Sequence, residues 1–165
     1  MSFDSARILT TILTKIGGSQ IDDAAGWANF SDPRVVNFLS AYGREFPAEG
    51  LERLLETPFP DWRRSLDPVH CHKNCIDLRC YVGAGPSQYR VVHGLALSDN
   101  DTWYCHSWCI KRTGTSNIVE TTLPRIKYFG FVVPDEIHPL GTLYVPSTLG
   151  EELDKWRGSS SSSAL

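Results

Sequence analysis

The sequence predicts an α+β fold, and three observations support this class. Helix-spaced apolar residues fill the first third of the chain, and residues 71–80 continue the helical pattern. From residue 88 onward, short runs rich in Val, Tyr and Leu alternate with turn clusters, as is typical of β-strands. Because the helices precede the strands, we expect helices packed on an antiparallel sheet rather than alternating β-α-β units.

Four helical segments follow from apolar spacing and from helix-ending residues. The first has Ile8, Leu9, Ile12, Leu13 and Ile16 on one face and stops at Gly17-Gly18. The second begins at Asp32-Pro33, an N-cap followed by proline in the first turn, and ends at Gly43. The pattern predicts a third short helix from Ala48 to Leu55 and a fourth from Cys71 to Cys80.

The second half of the chain has the composition of a small sheet. A polar cluster at Ser98 to Asp101 and a glycine at Gly114 predict the connecting turns. We expect one domain over residues 1–157 and a disordered serine-rich tail over residues 158–165. The predicted strands are Gln88 to Leu97, Thr102 to Ile110, Asn117 to Thr122, Ile126 to Val133 and a short one at Leu143 to Val145.

Composition and charge limit the classes of function. The chain has 165 residues, a net charge of −3, 41% apolar residues and 21% charged residues. These values are ordinary for a folded domain, and no block of like charge marks a nucleic-acid or membrane surface. The sequence has no pattern of a signal peptide and no apolar run long enough to cross a bilayer, so we expect a cytoplasmic protein. The sequence does not indicate an oligomeric state.

The cysteines are few and clustered. The chain has five, at Cys71, Cys75, Cys80, Cys105 and Cys109, all in its middle. A secreted disulfide framework usually has an even number spread more widely, so free thiols in a reducing compartment are the better interpretation. Catalysis and metal binding are the two explanations for such clustering.

Two short strings carry the candidate chemistry. Residues 71–75 and residues 105–109 both read C-H-x-x-C. Cys71 falls where a helix is expected to begin, and a thiolate is stabilised there by backbone N–H groups and the helix dipole. His106 lies mid-strand, and Glu120 lies on the next predicted strand. A strand-borne histidine can face a helix N-terminus, with a neighbouring carboxylate holding its other ring nitrogen. The order nucleophile, base, acid is that of a catalytic triad.

From Val69 to Val133 the chain resembles a family of small papain-like, transglutaminase-like proteins from bacteria and phages, mostly of unknown substrate. The resemblance covers about 65 of the 165 residues. It rests on the following strings in order: Cys71-His72-Lys73-Asn74-Cys75, then Val92-His93-Gly94-Leu95-Ala96-Leu97, then His106-Ser107-Trp108, then Glu120-Thr121-Thr122, and finally Tyr128-Phe129-Gly130.

The resemblance implies a papain-like fold and a cysteine hydrolase or acyltransferase. It implies a nucleophile at Cys71, a base at His106 and an orienting acid at Glu120, where the family usually has aspartate. The expected reaction is acyl transfer from a peptide or a small amide or acyl substrate through a thioester, with no cofactor. Water as second substrate gives hydrolysis, and an amine gives transamidation.

Three further residues are candidates for substrate contact or support. We expect Asn74, one turn into the helix, to order a neighbouring loop or backbone segment. Trp108 is a candidate shield between the Cys–His pair and water. His93 lies in the predicted strand beside the site, where it either touches substrate or is a half-buried strand residue.

Two alternatives remain open at the level of sequence. The cysteines, together with His72 and His106, could form a structural zinc site, although a C-x₃-C spacing is less usual than C-x₂-C. The chain could also keep the papain-like fold as a binding module without catalysis. A zinc protein would lose its fold with a chelator, whereas a thiol enzyme would be alkylated at Cys71.

Overall fold

A computed structural model describes residues 3–18, 21–22, 30, 32–54, 70–81, 88–113, 117–137 and 148–162. The fold class is α+β. The helices are α1 Phe3–Ile16, α2 Pro33–Tyr42, α3 Cys71–Tyr81 and α4 Leu149–Ser162, and a 3₁₀ turn spans Asp135–Ile137. The strands are β1 Ile21–Asp22, β2 Arg44–Phe46, β3 Glu52–Arg53, β4 Tyr89–Leu97, β5 Trp103–Lys111, β6 Ile118–Glu120 and β7 Lys127–Val132. None of these helices combines the length and apolar composition that a bilayer span requires.

The predicted helix boundaries are confirmed for α1, α2 and α3. The Asp32 carboxylate accepts the backbone N–H of Arg34 at 2.9 Å, and Pro33 occupies the first helical position of α2. Gly43 ends α2 by donating its N–H to the carbonyl of Leu39 at 2.8 Å. The helix that carries the first C-H-x-x-C string begins at Cys71 itself.

The described strands form one sheet in the order β2-β7-β4-β5-β6-β3, with β1 paired to β5. β4 covers one edge of β5 along its whole length, from Tyr89 opposite Lys111 to Leu97 opposite Trp103. On the other edge, β1 pairs with Trp103 and Tyr104, and β6 pairs with Cys109 and Ile110. In the described part of the chain, residues 105–108 therefore lie in a gap between β1 and β6.

The two faces of the sheet have different partners. All four helices pack on one face, over a core that includes Leu39, Leu78, Leu95 and Phe131. The opposite face carries a smaller cluster around Trp108 and Tyr128. Successive residues of a strand point to opposite faces, so β5 presents His106 and Ser107 to different surroundings.

The far end of α3 is fixed by charge. Arg79, in its last turn, is almost fully buried and pairs with Asp135 of the 3₁₀ turn at 3.2 Å. Arg112, just after β5, bonds the same carboxylate. This network ties the last turn of α3 to the end of the β4–β5 hairpin.

Several expectations differ from the structure. The helix predicted from Ala48 to Leu55 was wrong for the described residues 48–54, which form a turn and then β3. Gly50 has a φ of +74° there, and β3 pairs in parallel with β6. The sheet was expected to be antiparallel, and most of its strand pairs are. The exceptions among the described strands are β1–β5 and β3–β6, which pair in parallel. The four longer predicted strands are confirmed within a residue or two at each end.

The C-terminal helix was not predicted, and it enters the tail that we expected to be disordered. α4 is helical as far as Ser162, while residues 163–165 lie outside the described residues. Leu149 and Leu153 are buried at helical spacing against the core, and this packing supports the turns that follow. The strand expected at residues 143–145 and the turn at Gly114 also lie outside the described residues.

A substitution at Gly94 tests how closely the backbones of β4 and β7 approach each other. The register partner of Gly94 is Gly130, and a Cβ at Gly94 would lie 2.2 Å from the carbonyl oxygen of Phe129. We expect Gly94→Ala to lower the free energy of unfolding by about 2 kcal/mol or more, because the obstructing atoms are backbone. Chemical denaturation measures this loss. Gly158→Ala in α4 is the matched control, since a Cβ there meets nothing within 4 Å; a loss at Gly94 no larger than at Gly158 would contradict the close approach.

Candidate active site

The Cys71 side chain lies where the N-terminus of α3 meets the gap in the edge of β5. Cys71 is the first residue of the helix and is 8% exposed. The His106 side chain and the backbone N–H of Ser107 both act on its thiol and lower the pKa of that group. The first N–H groups of an α-helix have no partner within the helix, so the positive end of the helix dipole also faces this sulfur.

His106 bridges the thiol and a carboxylate. Its Nε2 lies 2.9 Å from Oε2 and 3.2 Å from Oε1 of Glu120. Because Glu120 holds Nε2, the other ring nitrogen, Nδ1, is the one left for Cys71. His106 is 4% exposed, so this line of three groups is shielded from solvent.

The Glu120 carboxylate is fully buried and fully bonded. Oε1 accepts the backbone N–H groups of Thr121 and Thr122 and the Thr122 hydroxyl, each at 3.0 Å. Oε2 accepts the hydroxyl of Tyr128 at 2.8 Å in addition to His106. A carboxylate buried without such partners would be strongly destabilising, so this set of donors is what allows a charged acid here.

The pKa values of the three groups favour a thiolate–imidazolium pair. Burial opposes ionisation of Cys71, but the hydrogen bond and charge of His106 and the Ser107 N–H bring its pKa below the usual value. Burial also opposes the charged form of His106, yet Glu120 and Cys71 raise its pKa to about 10. Burial works against ionisation of Glu120 as well, and His106 nevertheless lowers its pKa. All three shifts favour a protonated imidazole at neutral pH.

A set of contacts joins α3 to the end of β6. The Asn74 side chain donates to the carbonyl of Thr121 at 3.1 Å. The Thr121 hydroxyl lies 3.5 Å from the carbonyl of Cys71 and 3.6 Å from the sulfur of Cys75. These contacts hold the first turn of α3 beside Glu120, in agreement with the ordering role expected for Asn74.

Aromatic rings close the other side of His106. The Trp108 ring stacks on the imidazole, with centroids 6.0 Å apart and planes 21° apart. Tyr128 meets Trp108 edge-on, with centroids 5.1 Å apart. Trp108 is fully buried, and its role as a shield between the Cys–His pair and water stays a prediction.

His93 lies on the helix-covered face, away from the Glu120 carboxylate. It is 1% exposed and stacks on Phe30, with ring centroids 5.6 Å apart. Its Nδ1 bonds the hydroxyl of Ser107 at 3.0 Å. The two histidines that flank Cys71 in the sequence differ in exposure, since His72 is buried and His70 is exposed. His138 lies outside the described residues.

Four partners of the site were missed at the level of sequence: Ser107, Thr121, Thr122 and Tyr128. A signal existed for the threonines, because hydroxyl residues directly after an acid often form a turn that caps it. Tyr128 is buried in the sheet, and its hydroxyl donates to the Glu120 carboxylate. No sequence signal indicated which strand residue would donate to Cys71.

The remaining thiols do not assemble a metal centre among the described residues. There, no three His, Cys, Asp or Glu side chains are placed to hold one ion, and the side chain of Cys80 lies outside them. Cys75 and Cys109 are both fully buried, and the thiol of Cys109 donates to the carbonyl of Cys75 at 3.6 Å. Burial raises the pKa of Cys75 well above its usual value, so this thiol is protonated.

A surface pocket of about 450 Å³ borders the aromatic cluster. Phe46, Glu49, Lys127 and Tyr128 are among its lining residues, and neither Cys71 nor His106 lines it. Tyr128 therefore contacts both the Glu120 carboxylate and this pocket, but the pocket does not surround the sulfur.

Comparison of the chain with models of protein families, with curated proteins and with solved structures returned no match. The papain-like resemblance therefore stays a prediction. The structure brings Cys71, His106 and Glu120 together in the predicted order, and their catalytic role also stays a prediction.

Replacing Glu120 with glutamine tests the electrostatics of His106. Glu120→Gln removes the negative charge while keeping a side chain of similar size, so burial is less opposed and the pKa of His106 should fall well below 10. Titration of the imidazole resonances by NMR measures the change. Glu52→Gln on β3 is the matched control, because Glu52 pairs with Lys111 instead. A His106 pKa that stays near 10 in Glu120→Gln would rule out this account.

Proposed function

We propose that this protein is a cysteine-dependent acyl-transfer enzyme. Cys71 is the nucleophile, His106 is the general acid and base, and Glu120 orients the imidazole. One observation carries the proposal: the buried Glu120 carboxylate bonds the buried His106 ring, and this ring lowers the pKa of the Cys71 thiol at the start of α3. Buried carboxylate–histidine pairs also occur for structural reasons, but a thiol whose pKa is lowered at a helix N-terminus is the further requirement for nucleophilic chemistry.

The residues suggest the following sequence of steps. The Cys71 thiolate attacks the carbonyl carbon of an amide or ester, and the carbonyl oxygen becomes an oxyanion. Backbone N–H groups at the start of α3 are suited to stabilise that charge. The His106 imidazolium then gives its proton to the leaving amine or alcohol, and a thioester to Cys71 remains.

His106, now neutral, takes a proton from the second substrate as this attacks the thioester. The thiolate leaves as the protonated imidazole is restored. Throughout, Glu120 keeps Nε2 bonded and stabilises the positive ring, so Nδ1 remains the exchanging nitrogen. Water as second substrate releases an acid, and an amine gives a new amide. The substrate class is a peptide or a small amide or acyl compound.

Selective alkylation tests the nucleophile. At pH 7, a limiting amount of iodoacetamide should modify Cys71 ahead of Cys75 and Cys105, because the pKa values of those two thiols are raised by burial. Peptide mass spectrometry identifies the modified residue. In His106→Ala the preference for Cys71 should disappear, since the cation that stabilises the thiolate is gone. Equal modification of the accessible thiols in the wild-type chain would refute the proposal.

The pH dependence of ester cleavage tests the acid role of His106. Cleavage of 4-nitrophenyl acetate should begin with a burst of about one nitrophenolate per chain, as expected for an accumulating thioester. The rate should rise as the pH passes the lowered pKa of Cys71. For an ester with a poor leaving group, it should fall as the pH passes about 10, where His106 loses its proton.

The control for this experiment is Cys109→Ala, which removes a buried thiol without contact to His106. It should keep the burst, whereas Cys71→Ala should lose it. A burst that persists in Cys71→Ala would assign the chemistry to another group.

A further inference from the structure

Ser107 occupies an unusual position between the nucleophile and two buried histidines. Its backbone N–H is one of the groups that lower the pKa of the Cys71 thiol. Its hydroxyl lies 3.0 Å from Nδ1 of His72 and 3.0 Å from Nδ1 of His93. Neither the triad nor the aromatic cluster explains why two histidines are buried against one serine.

The contacts of Ser107 form a two-point attachment to α3. Its hydroxyl bonds His72, the residue that follows Cys71 in the helix, and its N–H acts on the Cys71 thiol itself. The Asn74 and Thr121 contacts hold the first turn of α3 beside the end of β6, and the bond between Ser107 and His72 adds an attachment to β5.

The second histidine fixes Ser107 itself. His93 is the register partner of Ser107 across the β4–β5 ladder, so its ring rises beside the hydroxyl on the same face. Its Nε2 lies 3.9 Å from the sulfur of Cys105, and Phe30 and Phe131 pack against its ring. The His93 ring is therefore held in place, and the serine side chain is held with it.

The protons of this trio are coupled. A hydroxyl donates one hydrogen bond and accepts up to two, so at most one of the two Nδ1 atoms accepts from Ser107. At least one histidine must therefore carry its proton on Nδ1 and donate to the serine. The bonds of the trio are made without any group of the Cys71–His106–Glu120 line.

We propose that Ser107 is a positioning residue: clamped by His72 and His93, it aims its backbone N–H at Cys71 and so stabilises the thiolate. This role rests on Cys71 being the reactive thiol of the proposed function. In the described part of the chain, the titratable groups that interact electrostatically with the Cys71 thiol include His106, Glu120, Cys75 and Cys105. None of them is changed in the experiment below.

The test measures the rate of Cys71 alkylation by iodoacetamide as a function of pH, followed by peptide mass spectrometry. The midpoint of this profile reports the pKa of the thiol. In Ser107→Ala we expect the midpoint to shift upward by about one pH unit, since a hydrogen bond to a charged group is weakened. Ser107→Thr keeps a hydroxyl and should restore a midpoint close to that of the wild-type chain.

Cys109→Ala is the matched control for stability. Cys109 lies on the same face of β5, two residues further on, and also bonds α3. It should lower the melting temperature while leaving the midpoint unchanged. If Ser107→Ala leaves the midpoint where Cys109→Ala does, the serine is only structural and the proposal is overturned.

A second pair of variants covers the case in which Ser107→Ala does not fold. His72→Leu removes the attachment from the helix side and should shift the midpoint upward, while His72→Asn keeps a hydrogen-bonding group near Nδ1 and should shift it less. Equal midpoints in both would overturn the clamp.

The midpoint of the alkylation profile can be measured without catalytic turnover. The enzyme proposal and the positioning role of Ser107 can therefore be refuted independently. A chain that shifts its midpoint in Ser107→Ala but gives no ester burst would refute the enzyme and leave the positioning role in place. A burst without a midpoint shift would do the reverse.

Discussion

The buried carboxylate of Glu120 is the constraint on which the rest of the site depends. A charged group with no exposure is tolerated only when its oxygens are bonded, and here the donors come from β5, from the end of β6 and from β7. The same bonds that stabilise the charge fix the positions of His106, Thr122 and Tyr128. Once the carboxylate is ionised, it raises the pKa of His106, and the protonated ring in turn favours a thiolate at Cys71. The negative charge of one buried acid thus influences the pKa values of both His106 and Cys71.

The gap in the edge of β5 decides where the nucleophile can sit. Backbone N–H groups at an open strand edge need partners, and β1 and β6 cover only the two ends. The first turn of α3 meets β5 in this stretch, where His72 bonds the Ser107 hydroxyl and the Ser107 N–H lowers the pKa of Cys71. A helix N-terminus and an unpaired strand N–H both favour negative charge, so the two backbone features act in the same direction. The thiol lies at the point where the two elements meet.

The two faces of β5 separate two kinds of chemistry. His106 and Trp108 face the aromatic cluster, while Ser107 and Cys109 face the helices. The chain therefore holds the reacting imidazole on one side of the strand and the histidines that support the strand on the other. Residues 105–109 therefore contribute to the site from one face of β5 and to the support of the strand from the other.

Much of this arrangement could be predicted from the sequence, because the features concerned depend on residues that are close together in the chain. Helix boundaries at Asp32, Gly43 and Cys71 follow from caps and apolar spacing, which need only neighbouring residues, and the order of Cys71, His106 and Glu120 was visible as a pattern. The helix predicted near Ala48 failed because pairing of β3 with β6 outweighed local propensity. Only the tertiary structure placed the hydroxyl of Tyr128 and the N–H of Ser107, since both contacts depend on which strands become neighbours and on which face each residue points to. Strand order and register are set by the burial of the whole sheet, and no short stretch of sequence encodes them.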